Sequence, residues 1–240
     1  INLGIDYKEF KFIKKKFNKS QKRKFLYIGN DYQYNNFAKN TKYLEQISNF
    51  FDKKTFLPLG YALDHKKAYE DDKGPNTGGM GAYSPAPIVT EDMSEKIMNE
   101  IILPTLEGLK KDGISYLGFL YAGLMIIENE PYLIEYNVRM GDPECQTILP
   151  KLKTDLSEIF LACCEEKLHK KNLEWIDKKS LCVVLCSKGY PENYKKDVMI
   201  EGINKIKLLD NDYIFHAGTS EKNGEVYAIG GRVLNFVSLR

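Results

Sequence analysis

The chain has no run of ~18 apolar residues, the length a membrane-crossing helix needs, and its mean hydropathy is −0.41. Five cysteines, Cys145, Cys163, Cys164, Cys182 and Cys186, are odd in number and include no C-x-x-C pair. That argues against a zinc site or a disulfide frame and for reduced, mostly buried thiols. Ile1 to Tyr7 lack the charged-then-apolar order of a secretory signal, so no membrane partner and a cytoplasmic location are expected. The first 54 residues contain no proline and only two glycines, Gly4 and Gly29. They therefore lack the punctuation that bounds compact elements.

What is present is a chain of 240 residues, 43% apolar, long enough to bury a core in one or two domains. Its net charge of +2 conceals an uneven distribution. Residues 1–54 carry 13 Lys or Arg against 5 Asp or Glu, whereas the rest carry 22 against 28. The run Phe10 to Phe17 with Lys19, Lys22, Arg23 and Lys24 reads as a solvated arm, as residues foreign to the rest of the fold, or as a basic, aromatic-interleaved nucleic-acid patch. Nucleic acid is the least favoured of these partners.

From residue 55 the character changes. Thr55 to Gly60 predicts a short strand, followed by a polar stretch, Asp64 to Asp72, and a glycine-rich loop, Gly74 to Gly81. Thr90 offers an N-cap to an amphipathic helix over 91–111, with Met93, Ile97, Met98, Ile101, Leu106 and Leu109 at helical spacing. Pro104 should kink that helix, because it removes a backbone donor. Two apolar runs, Gly118 to Ile127 and Tyr132 to Asn137, flank Glu128 to Pro131 and predict a hairpin. Helices are expected over 143–150 and 154–166. Beyond Lys167 strands are expected at Leu181 to Cys186, Tyr213 to His216, Val226 to Ile229 and Val233 to Val237.

The chemistry concentrates on the second arm of the hairpin. Glu135 and Asn137 are two apart, so on a strand they face one side, with Arg139 beyond if the strand extends that far. A carboxylate and an amide oxygen with room for waters suit Mg²⁺, although the same pair is also common on a solvated strand face. Arg139 is followed by a turn, Gly141-Asp-Pro143, and by Asp142 and Glu144, a density of charge that needs partners. In the loop Asn76-Thr-Gly-Gly-Met-Gly81, consecutive glycines let backbone N–H groups approach an anion. A plain surface turn is the other reading.

Four stretches carry a resemblance: Asp64-His-Lys-Lys67, Gly74 to Pro87, Gly118-Phe-Leu-Tyr-Ala-Gly-Leu-Met125 and Leu133-Ile-Glu-Tyr-Asn-Val-Arg-Met-Gly-Asp-Pro-Glu-Cys-Gln146. In order and spacing they closely resemble the phosphoribosylamine-glycine ligase family, the glycinamide ribonucleotide synthetases. Phe215-His-Ala-Gly-Thr219 with Gly230-Gly-Arg-Val233 looks like the start of that family's C-terminal domain. The resemblance implies an α+β, ATP-grasp fold, of which this chain holds the C-terminal half of the grasp followed by a partial small β-rich C-terminal domain. It divides the chain into a divergent or disrupted basic segment over 1–54, a catalytic portion over 55–166 and a partial C-terminal domain over 167–240.

The resemblance further implies an enzyme that joins glycine to 5-phosphoribosylamine with ATP, through a glycyl phosphate, in purine synthesis; the sequence does not give the oligomeric state, a monomer being the favoured expectation. By the same resemblance Glu135 and Asn137 ligate Mg²⁺ or Mn²⁺. Arg139 stabilises the transferred phosphoryl group or the oxyanion, and Asp142 and Glu144 orient Arg139 or grip the substrate amine. Asp64, Lys66, Asn76, Thr77, Gly78 and Gly79 border the glycine and ribose-phosphate site. His65, Met80, Cys182, Cys186 and His216 are read as turn, packing and sheet residues, and Met140 as a soft apolar exchange.

Two departures from the family pattern stand out. No glycine-rich phosphate loop precedes the match, Lys42-Tyr-Leu-Glu45 being the only trace of the adenine-side hinge, and the family's last helical stretch and strand do not follow Arg240. The chain thus reads as a middle-to-late portion whose first segment is divergent or frame-disrupted, with weakened ATP binding expected. Another ATP-grasp carboxylate-amine ligase, or a biotin-dependent-type carboxylase, is the alternative enzyme.

Overall fold

The computed structural model describes residues 25–30, 56–114 and 116–240. The basic run through Lys24 and the hinge trace at 42–45 lie outside them. The strands are β1 (Phe25–Asn30), β2 (Pro58–Asp64), β3 (Lys67–Tyr69), β4 (Lys73–Asn76), β5 (Gly81–Ser84), β6 (Gly118–Ile127), β7 (Glu130–Asn137) and β8 (Ser180–Cys186). They continue with β9 (Val198–Met199), β10 (Asp212–His216), β11 (Thr219–Lys222), β12 (Glu225–Ala228) and β13 (Arg232–Leu239). The helices are α1 (Glu91–Lys96), α2 (Leu103–Lys111), α3 (Glu144–Ile148) and α4 (Leu156–Cys164).

One eight-stranded sheet runs β10-β13-β8-β5-β2-β1-β6-β7. Only β1 pairs in parallel, with β2 on one side and β6 on the other. The sequence reading placed no strand there, because the segment sits in a stretch with few punctuating residues and a weak pattern. The C-terminal strands join the same sheet through the antiparallel pairing of β5 with β8, while β11, β12 and β9 form a sheet of their own. The β3–β4 hairpin and β11 are short elements in polar sequence, with no apolar run to announce them, and β9 is only two residues long.

Both faces of the sheet centre are covered, which explains why β2 and β6 read as continuous apolar runs. On one face Ile97, Met98, Ile101, Ile102 and Leu106 pack on Leu63, Leu120, Ala122 and Leu124. On the other, Ile148, Ile159, Cys163 and Leu168 pack on Leu59, Ala62 and Tyr121. Each fully buried aliphatic side chain contributes about 1.5–3 kcal/mol of transfer free energy.

The helical segment starts at its expected cap, the Thr90 hydroxyl accepting from the Met93 N–H at 3.1 Å. Pro104 does not produce a simple kink. Ahead of it the chain widens into a π-helical stretch, Ile97–Ile102, and Leu103 donates five residues back to the Met98 carbonyl. Thr105 Oγ1 donates to the Ile101 carbonyl at 2.7 Å, so the carbonyl next to the proline gap is satisfied by a side chain. The hairpin closes through two residues, Glu128 and Asn129, at φ 52° and 61°, the left-handed pair that matches strand twist. Among the described residues no helix is long and apolar enough to cross a membrane.

Candidate active site

Glu135 and Asn137 close strand β7 on the sheet face they share with Gly123, which pairs with Glu135 across the ladder. A β-carbon on Gly123 would lie 3.0 Å from Glu135 Cγ, so the glycine leaves the room in which the glutamate chain lies over β6. Asn137 Nδ2 donates to Glu135 Oε1 at 2.8 Å. The two side chains are neither turned apart nor sealed in packing: Glu135 is exposed and Asn137 half-buried. This contact uses the amide nitrogen of Asn137 and not its acceptor oxygen. Among the described residues no group of three or more His, Cys, Asp and Glu could hold a metal. The donor set here is one carboxylate and one amide oxygen on an open face, which fits a hard cation that retains waters.

β7 ends at Asn137, so Arg139 does not continue the strand face as the i+2 spacing anticipated. It is exposed and donates to the Met140 carbonyl at 3.0 Å. Asp142 and Glu144, expected to orient Arg139 or grip the substrate amine, have other partners here. Asp142 Oδ1 accepts from Gln146 at 2.9 Å and its Oδ2 from Arg232 at 3.3 Å. Glu144 is 1% exposed and accepts from the Tyr121 hydroxyl at 2.7 Å. Gly141 permits this arrangement, since a β-carbon there would meet Glu144 Oε2 at 2.3 Å.

The glycine loop also differs from its sequence reading. Its N–H groups face inward: Thr77 to the Lys66 carbonyl at 2.7 Å, Met80 to the His65 carbonyl at 2.8 Å, Gly79 to Thr77 Oγ1 at 3.0 Å and Gly78 to the Tyr190 hydroxyl at 3.0 Å. Engaged in this way, they do not form an anion cradle. The glycines serve close packing instead. A β-carbon on Gly79, at φ +119°, would sit 2.6 Å from Pro143 Cδ and 2.7 Å from Asp64 Oδ1, and one on Gly78 would sit 3.0 Å from the Arg232 guanidinium. Asn76 ends β4, exposed and paired in register with Lys67.

Beneath the loop Asp64 is fully buried and ion-paired with Lys66. Burial raises the Asp64 carboxyl to about 7, Glu144 adds to the rise, and Lys66 and Arg232 oppose it. Burial pulls the Lys66 ammonium down, but the adjacent Asp64 carboxylate more than offsets this and leaves it above the ordinary lysine range. Burial likewise raises the thiols of Cys145 and Cys182 to about 12 and that of Cys163 to about 11. They stay protonated, in keeping with the reading of Cys182 as core. Met80 packs against Cys186, Sδ to Sγ 3.7 Å, and His216 Nδ1 lies 3.0 Å from Thr219 Oγ1.

The structure thus brings Asp64, Lys66, Thr77, Gly78, Gly79, Asp142 and Glu144 into one cluster, with Glu135, Asn137 and Arg139 along the neighbouring strand end. Sequence reasoning missed Tyr121, Gln146, Tyr190 and Arg232. The only signal for Arg232 was its place in Gly230-Gly-Arg-Val233; its partners lie 90 and 154 residues away.

The mixed α+β architecture is that of the ATP-grasp class. The phosphoribosylglycinamide synthetase ATP-grasp (A) domain model matches residues 45–145, and that family's C domain model matches 180–240. The chain belongs to the phosphoribosylglycinamide synthetase family.

It is 48% identical over 187 residues to the phosphoribosylamine-glycine ligase of Brucella melitensis, covering 78% of this chain and 44% of that one. To the ligase of Agrobacterium fabrum it is 52% identical over 184 residues, covering 77% and 43%. The crystal structure of the Thermotoga maritima phosphoribosylamine-glycine ligase superposes with a TM-score of 0.58 at 37% identity, over 74% of this chain and 43% of that one. The chain spans less than half the length of these relatives.

Proposed function

We propose that this chain carries the ligase chemistry of its relatives: ATP, glycine and 5-phosphoribosylamine give glycinamide ribonucleotide, ADP and phosphate. A glycine carboxylate oxygen attacks the γ-phosphorus as the bond to the ADP oxygen breaks. The amine nitrogen then attacks the acyl carbon, the bond to phosphate breaks, and the nitrogen loses a proton. Both steps move charge between anions, so positioning and electrostatics carry the catalysis.

Glu135 and Asn137 would hold Mg²⁺ or Mn²⁺, which when bound neutralises charge on the nucleotide phosphates. Arg139, a permanent cation on the open side of the strand end, would stabilise the transferred phosphoryl group or the acyl oxyanion. Asp64 and Lys66 form the charged floor beneath the loop, and Asn76 to Gly79 with Asp142 form its border. We place the catalytic portion at 55–166, the partial C-terminal domain at 167–240 and the divergent segment at 1–54, in a cytoplasmic monomer.

The observation that carries the reading is the 2.8 Å contact between Glu135 and Asn137 on one open strand face. The test is ADP release from the chain with glycine plus phosphoribosylamine, against bicarbonate and other carboxylates. Release only with the glycine pair, lost in Arg139→Ala, is the expected result. Release driven by bicarbonate would replace the reading with the carboxylase alternative.

A further inference from the structure

Arg232 opens strand β13, far in sequence from every residue discussed as chemistry, yet its guanidinium reaches two separate pieces of the site. Nη1 donates to the Gly78 carbonyl at 2.8 Å and to the Asp142 carbonyl at 2.6 Å, with a longer approach to the Gly79 carbonyl at 3.4 Å. Nη2 meets Asp142 Oδ2 at 3.3 Å. Tyr190, also from the C-terminal part, accepts the Gly78 N–H at 3.0 Å, and a β-carbon on Gly231 would lie 2.3 Å from its ring. The glycine loop is therefore held from outside at both its N–H and its C=O groups.

A guanidinium suits this task. Its donors are fixed in one plane and fork toward several acceptors at once, whereas an ammonium is a point charge on a flexible stem. The Arg232 side chain is only 22% exposed, so these contacts are made largely out of water, where losing a donor leaves acceptors unsatisfied.

We propose that Arg232 is a positioning residue. It fastens the glycine loop to the 139–144 turn and so sets where Asp142 and the loop border stand relative to the strand end that bears Glu135, Asn137 and Arg139. The site is then complete only when the C-terminal part is docked on the catalytic portion. The kinetic part of the test rests on the ligase reading above; the exchange part does not.

In Arg232→Ala, amide hydrogen exchange at Gly78, Gly79, Asp142 and Glu144 is expected to accelerate ~10-fold or more, while the helical amides of 97–106 keep their protection. Ethylguanidinium at millimolar concentration should restore the slow exchange, and ethylammonium should not. The KM for glycine should rise ~10-fold or more with Mn²⁺ affinity unchanged, because the loop border moves while the strand face does not. If Arg232→Ala does not fold, Arg232→Lys carries the same measurement, and its loop should exchange fast although its charge is kept.

Unchanged loop exchange, a uniform rise over the whole chain, equal rescue by both cations, or a parent-like Arg232→Lys would each overturn the proposal. A parent chain that forms no ADP with glycine and phosphoribosylamine defeats the ligase reading, and the exchange data still decide the role of Arg232.

Discussion

Asn137 donates its side-chain amide to Glu135 across 2.8 Å, from positions two apart on a strand that ends at Asn137 itself. This contact ties the two side chains together at the exposed end of the hairpin arm. Because both residues lie outside the packed core, replacing them tests binding without testing folding. Glu135→Gln and Asn137→Ala should each weaken Mn²⁺ binding ~10-fold or more by electron paramagnetic titration, with urea midpoints within the range of ordinary surface changes. Parent-like Mn²⁺ affinity in both variants would remove the metal assignment.

Gly123 supplies the space that Glu135 occupies. In Gly123→Ala the new methyl would stand 3.0 Å from Glu135 Cγ, and the glutamate must shift by a few tenths of an ångström. The expected outcome is a several-fold loss of Mn²⁺ affinity with a stability change of about 1 kcal/mol or less. Glu135 can yield because its side chain is exposed, although its Oε1 is held by Asn137.

Gly79 has no such freedom. Its φ of +119° is one that L side chains avoid, and its virtual β-carbon meets Pro143 and the buried Asp64. Gly79→Ala should cost about 2–4 kcal/mol, combining backbone strain with overpacking, read as a lowered urea midpoint. A parent-like midpoint would show that the loop tolerates a different packing on the turn.

Asp64 makes stability depend on pH. Burial raises its folded-state pKa to about 7, against ~3.9 in an unfolded chain. The folded chain therefore binds more protons than the unfolded one between these values. This contribution is fully present below pH ~4 and is lost as pH rises through about 7. Asp64→Asn removes the titration, so stability measured from pH 4 to 8 should fall less steeply in the variant than in the parent. Equal slopes would place the Asp64 carboxyl near its ordinary value.

Lys151 behaves in the opposite sense. It is 9% exposed, it donates to Ser84 Oγ at 3.3 Å, and burial lowers it to about 8 while Asp177 opposes the fall. The unfolded chain binds more protons from pH 8 to ~10.4, so the parent gains stability across that window. Lys151→Met should be more stable than the parent at pH 7, with the difference shrinking toward pH 10 in thermal unfolding.

Strand β6 was legible because it reads as an unbroken apolar run, Gly118 to Ile127. The helix over 91–111 was legible from its Thr90 cap and its apolar spacing. The π-helical widening before Pro104 was not, because whether a proline kinks or widens a helix depends on what accepts the strain, here Thr105 and the packing of Ile101. Strand β1 escaped notice because it lies in a weakly patterned, lysine-rich stretch, and its place between β2 and β6 comes from partners distant in the chain.

Local sequence alone determined that Glu135 and Asn137 stand together on the hairpin arm. A strand repeats every two residues, so Glu135 and Asn137 had to share a face wherever the strand lay. Tertiary structure decided the glycine loop and the acidic turn, because the partners that capture them, Tyr190 and Arg232, come from another part of the chain. Backbone N–H groups that look free in a loop have no fixed direction until packing supplies acceptors. Here packing turned them inward and aimed a distant guanidinium at the carbonyls beside them.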